Sequence, residues 1–172
     1  PDKPWSVQDY ANHVKRLMAE YGIEKPICVA HSFGGRVAIK LASKHKNIFS
    51  KLFLIGAAGI KKEASLKIKI FRAIAKTGKA ILKYTGLSKL EDFARKVLYK
   101  IARAPDYYKT QGPMRETFKK VIDEDLRPLL KEIKTETYII WGEKDSYVPV
   151  SDAHIMNEEI KASKIKVIEE GK

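Results

Sequence analysis

The heptapeptide Val29-Ala-His-Ser-Phe-Gly-Gly35 decides the fold of this 172-residue chain. It overlaps the end of a continuous apolar run, residues 26–30, of the kind found in strands that are buried on both faces. It opens the segment 34–43, in which apolar residues recur at helical spacing. Together these segments predict a buried strand, a tight turn at Ser32 and a helix.

Ser32 is the candidate nucleophile of this turn. A serine that projects from a tight strand-to-helix turn has a strained backbone, and small residues two positions before and after it, here Ala30 and Gly34, avoid clashes. The turn also directs the backbone N–H of Phe33, at the helix N-terminus, toward an oxyanion that forms beside Ser32. The pattern A-x-S-x-G therefore predicts a serine nucleophile with Phe33 as an oxyanion-hole donor.

Helices and strands alternate on both sides of the turn. A capping-box pattern, Ser6-Val-Gln-Asp9, precedes apolar residues at three- and four-residue spacing and predicts a helix over residues 7–21. Short apolar runs predict strands at 51–56, 137–142 and 164–169, with a helix at 151–160 between the last two. This order implies right-handed crossovers and a parallel sheet flanked by helices. The predicted fold class is therefore α/β.

The β signal disappears between residues 61 and 131. Apolar residues there form three helical stripes, which predict an all-helical block inserted between two strands. The chain therefore divides into a predicted α/β core, residues 1–60 and 132–172, and a predicted helical cap, residues 61–131.

Most of the chain's positive charge lies in this helical block. The formal net charge is +13, and residues 61–109 contribute 14 basic and 4 acidic side chains. Such a segment can be a lysine-rich solvated face, or it can contact an anionic membrane surface, a nucleic acid or an acidic substrate. The sequence has no aromatic residues at stacking spacing and no recognised nucleic-acid-binding module, so a nucleic-acid partner is not expected.

With these motifs in place, the sequence resembles the α/β-hydrolase family over nearly its whole length. The resemblance rests on the elbow in Cys28–Gly35 and on Ile140-Trp-Gly-Glu-Lys-Asp145, which is followed by Val148-Pro149. In that family the acid of the catalytic triad commonly follows the seventh strand, which implies Asp145. The alternative position after the sixth strand reads Gly56-Ala-Ala58 and has no carboxylate. The helical block corresponds to the lid that such enzymes insert after the sixth strand.

The resemblance also implies parts that this sequence does not contain. The family's catalytic histidine follows the eighth strand, where this sequence reads Glu170-Gly-Lys172. The first four strands of the fold are also missing, together with the loop that supplies the second oxyanion N–H. We therefore expect a missing N-terminal segment of the same fold as a partner. We also expect the strand at 27–30 to form an open edge, and His31 to be a substrate-binding neighbour rather than the base.

A serine nucleophile with these partners implies a serine hydrolase. It would act on a carboxylic ester, a thioester or a related acyl bond of a small apolar substrate, or on the C–C bond of a dienoic ketoacid. Without the histidine the isolated chain is expected to be nearly inert. The alternative is a non-catalytic ligand-binding or signalling protein of the same fold.

Other features of the sequence limit cofactors and location. The four histidines show no metal-ligand spacing, so neither a metal nor another cofactor is expected. A single cysteine allows no internal disulfide and suits a cytoplasmic protein. No apolar run approaches the roughly 18 residues that a membrane span needs.

Overall fold

The structure, a computed structural model, describes residues 2–61 and 112–172. The helices and strands of these residues alternate as the sequence predicts, with ends that differ by a residue or so. In chain order they are α1 (Val7–Glu20), β1 (Ile27–His31), α2 (Phe33–Lys44), β2 (Lys51–Ile55), α3 (Pro113–Asp123), α4 (Arg127–Leu130), β3 (Thr137–Gly142), α5 (Val150–Glu159) and β4 (Ser163–Ile168).

The four described strands form one parallel sheet in the order β1-β2-β3-β4. The predicted parallel sheet is therefore confirmed. Because all four strands run in the same direction, their carboxyl ends meet at one edge of the sheet. The residues that follow β1, β2 and β3 consequently lie at that edge, and β1 borders the sheet on one side.

One face of the sheet is covered by helices. α2 contacts β1 and β2, and α5 contacts β3 and β4. Alternate residues of the two central strands lie under these helices, and each is at most 1% exposed: Leu52, Leu54, Ile139 and Trp141. This face forms the hydrophobic core, which supports the residues that follow β1, β2 and β3 at the edge of the sheet.

The opposite face of the sheet is open in the described residues. Ile27 and Val29 on β1 are 61% and 65% exposed, so the prediction that this strand is buried on both faces is wrong for the described part of the chain. A continuous apolar run indicates that both faces can be covered, but not which residues cover them. On the same face the rings of Phe53 and Tyr138 stack with centroids 4.9 Å apart, and Lys51 lies over the Tyr138 ring.

The predicted cap is only partly described. Residues 62–111 lie outside the described residues. Residues 112–131, which include α3 and α4, belong to the same compact unit as the core. In this unit the backbone N–H of Trp5 donates to Oγ1 of the buried Thr117 at 2.9 Å, which attaches α3 to the segment before α1.

α1 begins as its sequence predicts. The Ser6 hydroxyl accepts from the backbone N–H of Asp9, and the Asp9 carboxylate accepts from the backbone N–H of Ser6 at 2.7 Å. The Ser6 hydroxyl also donates to the Asp9 carboxylate at 2.6 Å, and this bond, together with the one from the Ser6 N–H, lowers the pKa of the Asp9 carboxyl below its usual value. The cap fixes where α1 starts, and α1 in turn packs along α2.

The open sheet face predicts self-association of the isolated 172-residue chain, because exposed apolar strands at an edge tend to pair. Val29→Lys should reduce this association in sedimentation velocity while changing the free energy of unfolding by less than about 0.5 kcal/mol, since the side chain is already solvated. Leu54→Lys, at a fully buried position, is the matched control and should prevent folding. A wild-type chain that stays monomeric at every concentration would contradict this account of the face.

Candidate active site

Ser32 occupies a strained turn between β1 and α2. Its φ of 49° and ψ of −118° lie in a region that non-glycine residues rarely adopt. The backbone around it is fixed: Ser32 N–H donates to Ile55 O at 3.3 Å, and Ser32 O accepts from the N–H groups of Gly35 and Ala58 at 3.0 and 2.9 Å. The turn is thus held by the end of β2 and by the loop that follows it.

The Ser32 hydroxyl has no structural role at the helix start. Serine is a preferred N-cap residue because its side chain can accept from the first helical N–H groups. At the start of α2 the Ser32 side chain makes no such hydrogen bond. Ser32 is partly exposed rather than buried.

Phe33 is the first residue of α2, where a backbone N–H has no partner within the helix. Its ring packs edge-on against Tyr10 with centroids 4.9 Å apart, and Tyr10 packs in the same way against Trp5 at 5.0 Å. This aromatic contact fixes the residue next to Ser32. Helical spacing predicts that Tyr10 lies on the apolar face of α1, but it does not identify which residue that face meets.

The tightest contact of the turn falls on Gly35 rather than Gly34. A Cβ on Gly34 would meet only the Ala30 Cβ at 4.0 Å, an ordinary contact, so a residue as small as alanine also fits there. A Cβ on Gly35 would lie 2.4 Å from the Ala57 Cβ and 3.0 Å from its Cα. The loop after β2 therefore packs directly on the backbone of α2.

Asp145 lies in the loop that follows β3. Its Oδ1 accepts from the backbone N–H groups of Tyr147 and Val148 at 2.8 and 2.9 Å, which fixes the orientation of the carboxylate. The loop itself is anchored by Trp141, whose ring N–H donates to Val148 O at 2.9 Å.

The second carboxylate oxygen of Asp145 is directed toward the end of β2. Oδ2 lies 3.2 Å from the position that a Cβ would take on Gly56. Gly56 also has a φ of 47°, so both its backbone and its surroundings favour glycine. Among the described residues no hydrogen bond to Oδ2 is seen, which leaves this oxygen able to accept one.

His31 lies at the same edge of the sheet. Its Cδ2 and Nε2 atoms are each 3.7 Å from the Cβ position of Gly56, and the side chain is exposed. Asp145 and His31 therefore approach the same glycine. The remaining histidines lie on other elements: His13 on α1, His45 at the C-terminal end of α2 and His154 on α5.

The parallel sheet determines the spacing of the site. Ser32 follows β1 and Asp145 follows β3, with β2 and Gly56 between them. Neighbouring strands are about 4.8 Å apart, so the ends of β1 and β3 are separated by about 10 Å. A gap of this size has room for an imidazole ring, and the described part of the chain places no histidine other than His31 near it.

The end of the sequence lies beside the Asp145 loop. The N–H of Lys144 donates to Gly171 O at 2.7 Å, and the N–H of Glu143 donates to Ile168 O at 3.0 Å. A Cβ on Gly142 would meet the Gly171 backbone at 2.6 Å. The residues after β4 are thus bonded to the loop that bears the candidate acid.

The described residues contain no cluster of three or more potential metal ligands. Within the same ranges no helix has the length and apolar character needed to span a bilayer.

Comparison with known proteins identifies relatives that match most of this chain. Residues 5–172 match the family described as serine aminopeptidase, S33. An AB hydrolase superfamily protein of Bacillus subtilis is 27% identical, with 95% of this chain and 66% of the relative covered. A 2-hydroxy-6-oxo-6-phenylhexa-2,4-dienoate hydrolase of Comamonas testosteroni is 26% identical, with 81% of this chain and 53% of that enzyme covered. The chain thus spans between about half and two thirds of the length of these curated relatives.

Solved structures give the same architecture. The structure of an esterase from Exiguobacterium antarcticum matches with a TM-score of 0.67 and 21% identity, and the match covers 99% of this chain and 68% of the esterase. At this level of identity the match establishes the fold alone.

The contrast between two adjacent glycines tests how the turn is packed. Gly35→Ala should lower the free energy of unfolding by about 1–3 kcal/mol, because the new methyl group meets the Cβ and Cα of Ala57. Gly34→Ala is the matched control and should equal or exceed the wild-type stability, since alanine favours a helix by roughly 0.5–1 kcal/mol over glycine. Urea unfolding of both variants measures the difference, and equal stabilities would contradict the packing described.

Proposed function

The chain belongs to the serine aminopeptidase S33 family of α/β hydrolases, and we propose that it is the part of a serine hydrolase that carries the nucleophile, Ser32. The predicted resemblance to α/β hydrolases is confirmed, and the chain covers 68% of the esterase structure that it matches. The observation that carries the proposal is the conformation of Ser32: its backbone is strained and its hydroxyl does not cap α2. Ser32 lies at the same sheet edge as Asp145, whose Oδ2 is able to accept a hydrogen bond.

In this proposal Ser32 Oγ attacks the carbonyl carbon of the substrate, and an imidazole accepts the hydroxyl proton. The carbonyl oxygen becomes an oxyanion that accepts from the N–H of Phe33, at the positive end of α2. The intermediate then collapses, and the imidazolium gives its proton to the leaving group. Water, activated by the same imidazole, hydrolyses the acyl-enzyme. Asp145 orients the imidazole through Oδ2, because Oδ1 is already bound to the Tyr147 and Val148 N–H groups.

We place the missing imidazole on a segment that continues from the end of this sequence. Gly171 is bonded to the Asp145 loop, so residues that follow it would begin beside the candidate acid. His31 approaches Gly56 from the exposed side and is proposed to contact the substrate rather than to act as the base. The N-terminal part of the fold is proposed to pair with the β1 edge and to cover the open sheet face.

The substrate class follows from the nucleophile and from the relatives. A serine nucleophile suits carboxylic esters, thioesters and C–C bonds next to a carbonyl. One relative is named as a dienoate hydrolase and one structural neighbour as an esterase. We propose a small apolar acyl substrate. We also propose a cytoplasmic location, which agrees with the presence of a single cysteine, Cys28. Burial raises the pKa of the Cys28 thiol.

The isolated 172-residue chain should have almost no hydrolase activity. Loss of the base from a serine triad costs on the order of 10⁶ in turnover. Turnover of a chromogenic acyl ester by the isolated chain, measured against buffer, tests this expectation. Robust hydrolysis that Ser32→Ala abolishes would mean that the chain contains its own base, with His31 as the first residue to examine.

Labelling of the complete protein by a fluorophosphonate probe tests the assignment of the nucleophile. The wild type should be labelled at Ser32, Ser32→Ala should not be labelled, and Asp145→Asn should lower ester turnover by about 10⁴. Glu158→Gln, at an exposed position of α5, is the matched control and should behave as the wild type. A complete, folded protein that binds acyl ligands but resists labelling would instead support a non-catalytic binding or signalling role.

A further inference from the structure

A buried arginine lies one helical turn after the candidate nucleophile. Arg36 on α2 is only 6% exposed. Burial lowers the pKa of its guanidinium, and the nearby Glu124 and Asp125 carboxylates act in the opposite direction. A buried charge is unfavourable unless hydrogen bonds compensate it. The hydrogen-bond acceptor of the Arg36 guanidinium therefore matters for the stability of this part of the fold.

Arg36 holds the segment that leads from α3 to α4. Its Nη1 donates to the backbone carbonyl of Glu124 at 2.8 Å. Two residues further on, the N–H of Leu126 donates to Gly59 O at 2.9 Å. Between them, Asp125 Oδ1 accepts from the backbone N–H of Lys61 at 3.1 Å. The segment 124–126 is thus bonded to α2 on one side and to residues 59–61 on the other.

Residues 56–61 lead back to the nucleophile. The N–H of Ala58 donates to Ser32 O at 2.9 Å, and Ala57 packs against Gly35 so closely that no Cβ fits there. A closed ring results, which runs from Ser32 along α2 to Arg36, through residues 124–126 to Gly59 and through Ala58 back to Ser32. We call this the elbow ring.

We propose that Arg36 is a positioning residue for the nucleophile, because its bond to Glu124 O closes the elbow ring that keeps Ser32 in its strained conformation. The inference rests on the proposed role of Ser32. When the bond is lost, the backbone of residues 124–126 is held to α2 only through the Glu124 side chain, and it can shift away from α2. The Ala58 N–H that fixes Ser32 O is then less firmly supported. The Ser32 backbone can then relax and move the hydroxyl away from the position of attack.

Lys40, one turn further along α2, offers a matched control. It also contacts residue 124, but its ammonium pairs with the side-chain carboxylate of Glu124 and not with the carbonyl. Its side chain is 12% exposed, so Lys40 is half-buried at the same place. Loss of Lys40 removes a cation and an ion pair from this place while leaving the elbow ring closed.

The experiment compares Arg36→Met, Arg36→Lys and Lys40→Met in the complete protein. The rate constant of labelling by a fluorophosphonate should fall about 10- to 100-fold in Arg36→Met, the effect of moving a reacting group by about 1 Å. Arg36→Lys should retain part of the rate, and Lys40→Met should be labelled as the wild type. Amide hydrogen exchange at Ala58 should accelerate in Arg36→Met and remain unchanged in Lys40→Met.

The two readouts separate this inference from the proposed function. An unlabelled wild-type protein would overturn the role of Ser32, while exchange at Ala58 would still decide whether Arg36 closes the ring. Equal labelling and equal Ala58 exchange in Arg36→Met and Lys40→Met would overturn the positioning role. Should Arg36→Met fail to fold, the same comparison between Arg36→Lys and Lys40→Met decides the question.

Discussion

The site depends on one unfavourable backbone conformation, the positive φ of Ser32. Such a conformation costs of order 1–3 kcal/mol and persists only when its surroundings determine it. Here β2 accepts the Ser32 N–H through Ile55 O, and the loop after β2 donates to Ser32 O through Ala58. Because Gly35 has no side chain, that loop can approach α2 closely enough to make this bond. The conformation that exposes the hydroxyl is therefore a property of the assembled sheet and loop, and not of the local sequence alone.

The parallel sheet converts this local feature into a site. Ser32, Gly56 and Asp145 are far apart in sequence, but each follows a strand whose carboxyl end lies at the same edge. The strand between the nucleophile and the acid sets the width of the gap, and Gly56, which follows that strand, leaves space for the carboxylate. With one Asp145 oxygen bound to two backbone N–H groups, the orientation of the other is fixed before any partner arrives.

The sequence predicted the parts of this structure that depend on local pattern. Apolar runs and helical spacing located the described strands and helices, and the capping box at Ser6 marked the start of α1. Long-range contacts could not be predicted in this way. No periodicity indicates that Gly35 meets Ala57, or that Arg36 binds the carbonyl of residue 124. The burial predicted for β1 was wrong on one face, because an apolar run does not reveal which elements are present to cover it.

The most direct test of the account is a crystal structure of the complete protein that contains this sequence. We predict an imidazole between Ser32 and Asp145, with one ring nitrogen within hydrogen-bonding distance of Asp145 Oδ2 and the other within reach of Ser32 Oγ. An imidazole that binds elsewhere, or an Asp145 Oδ2 occupied by another donor in the complete protein, would contradict it.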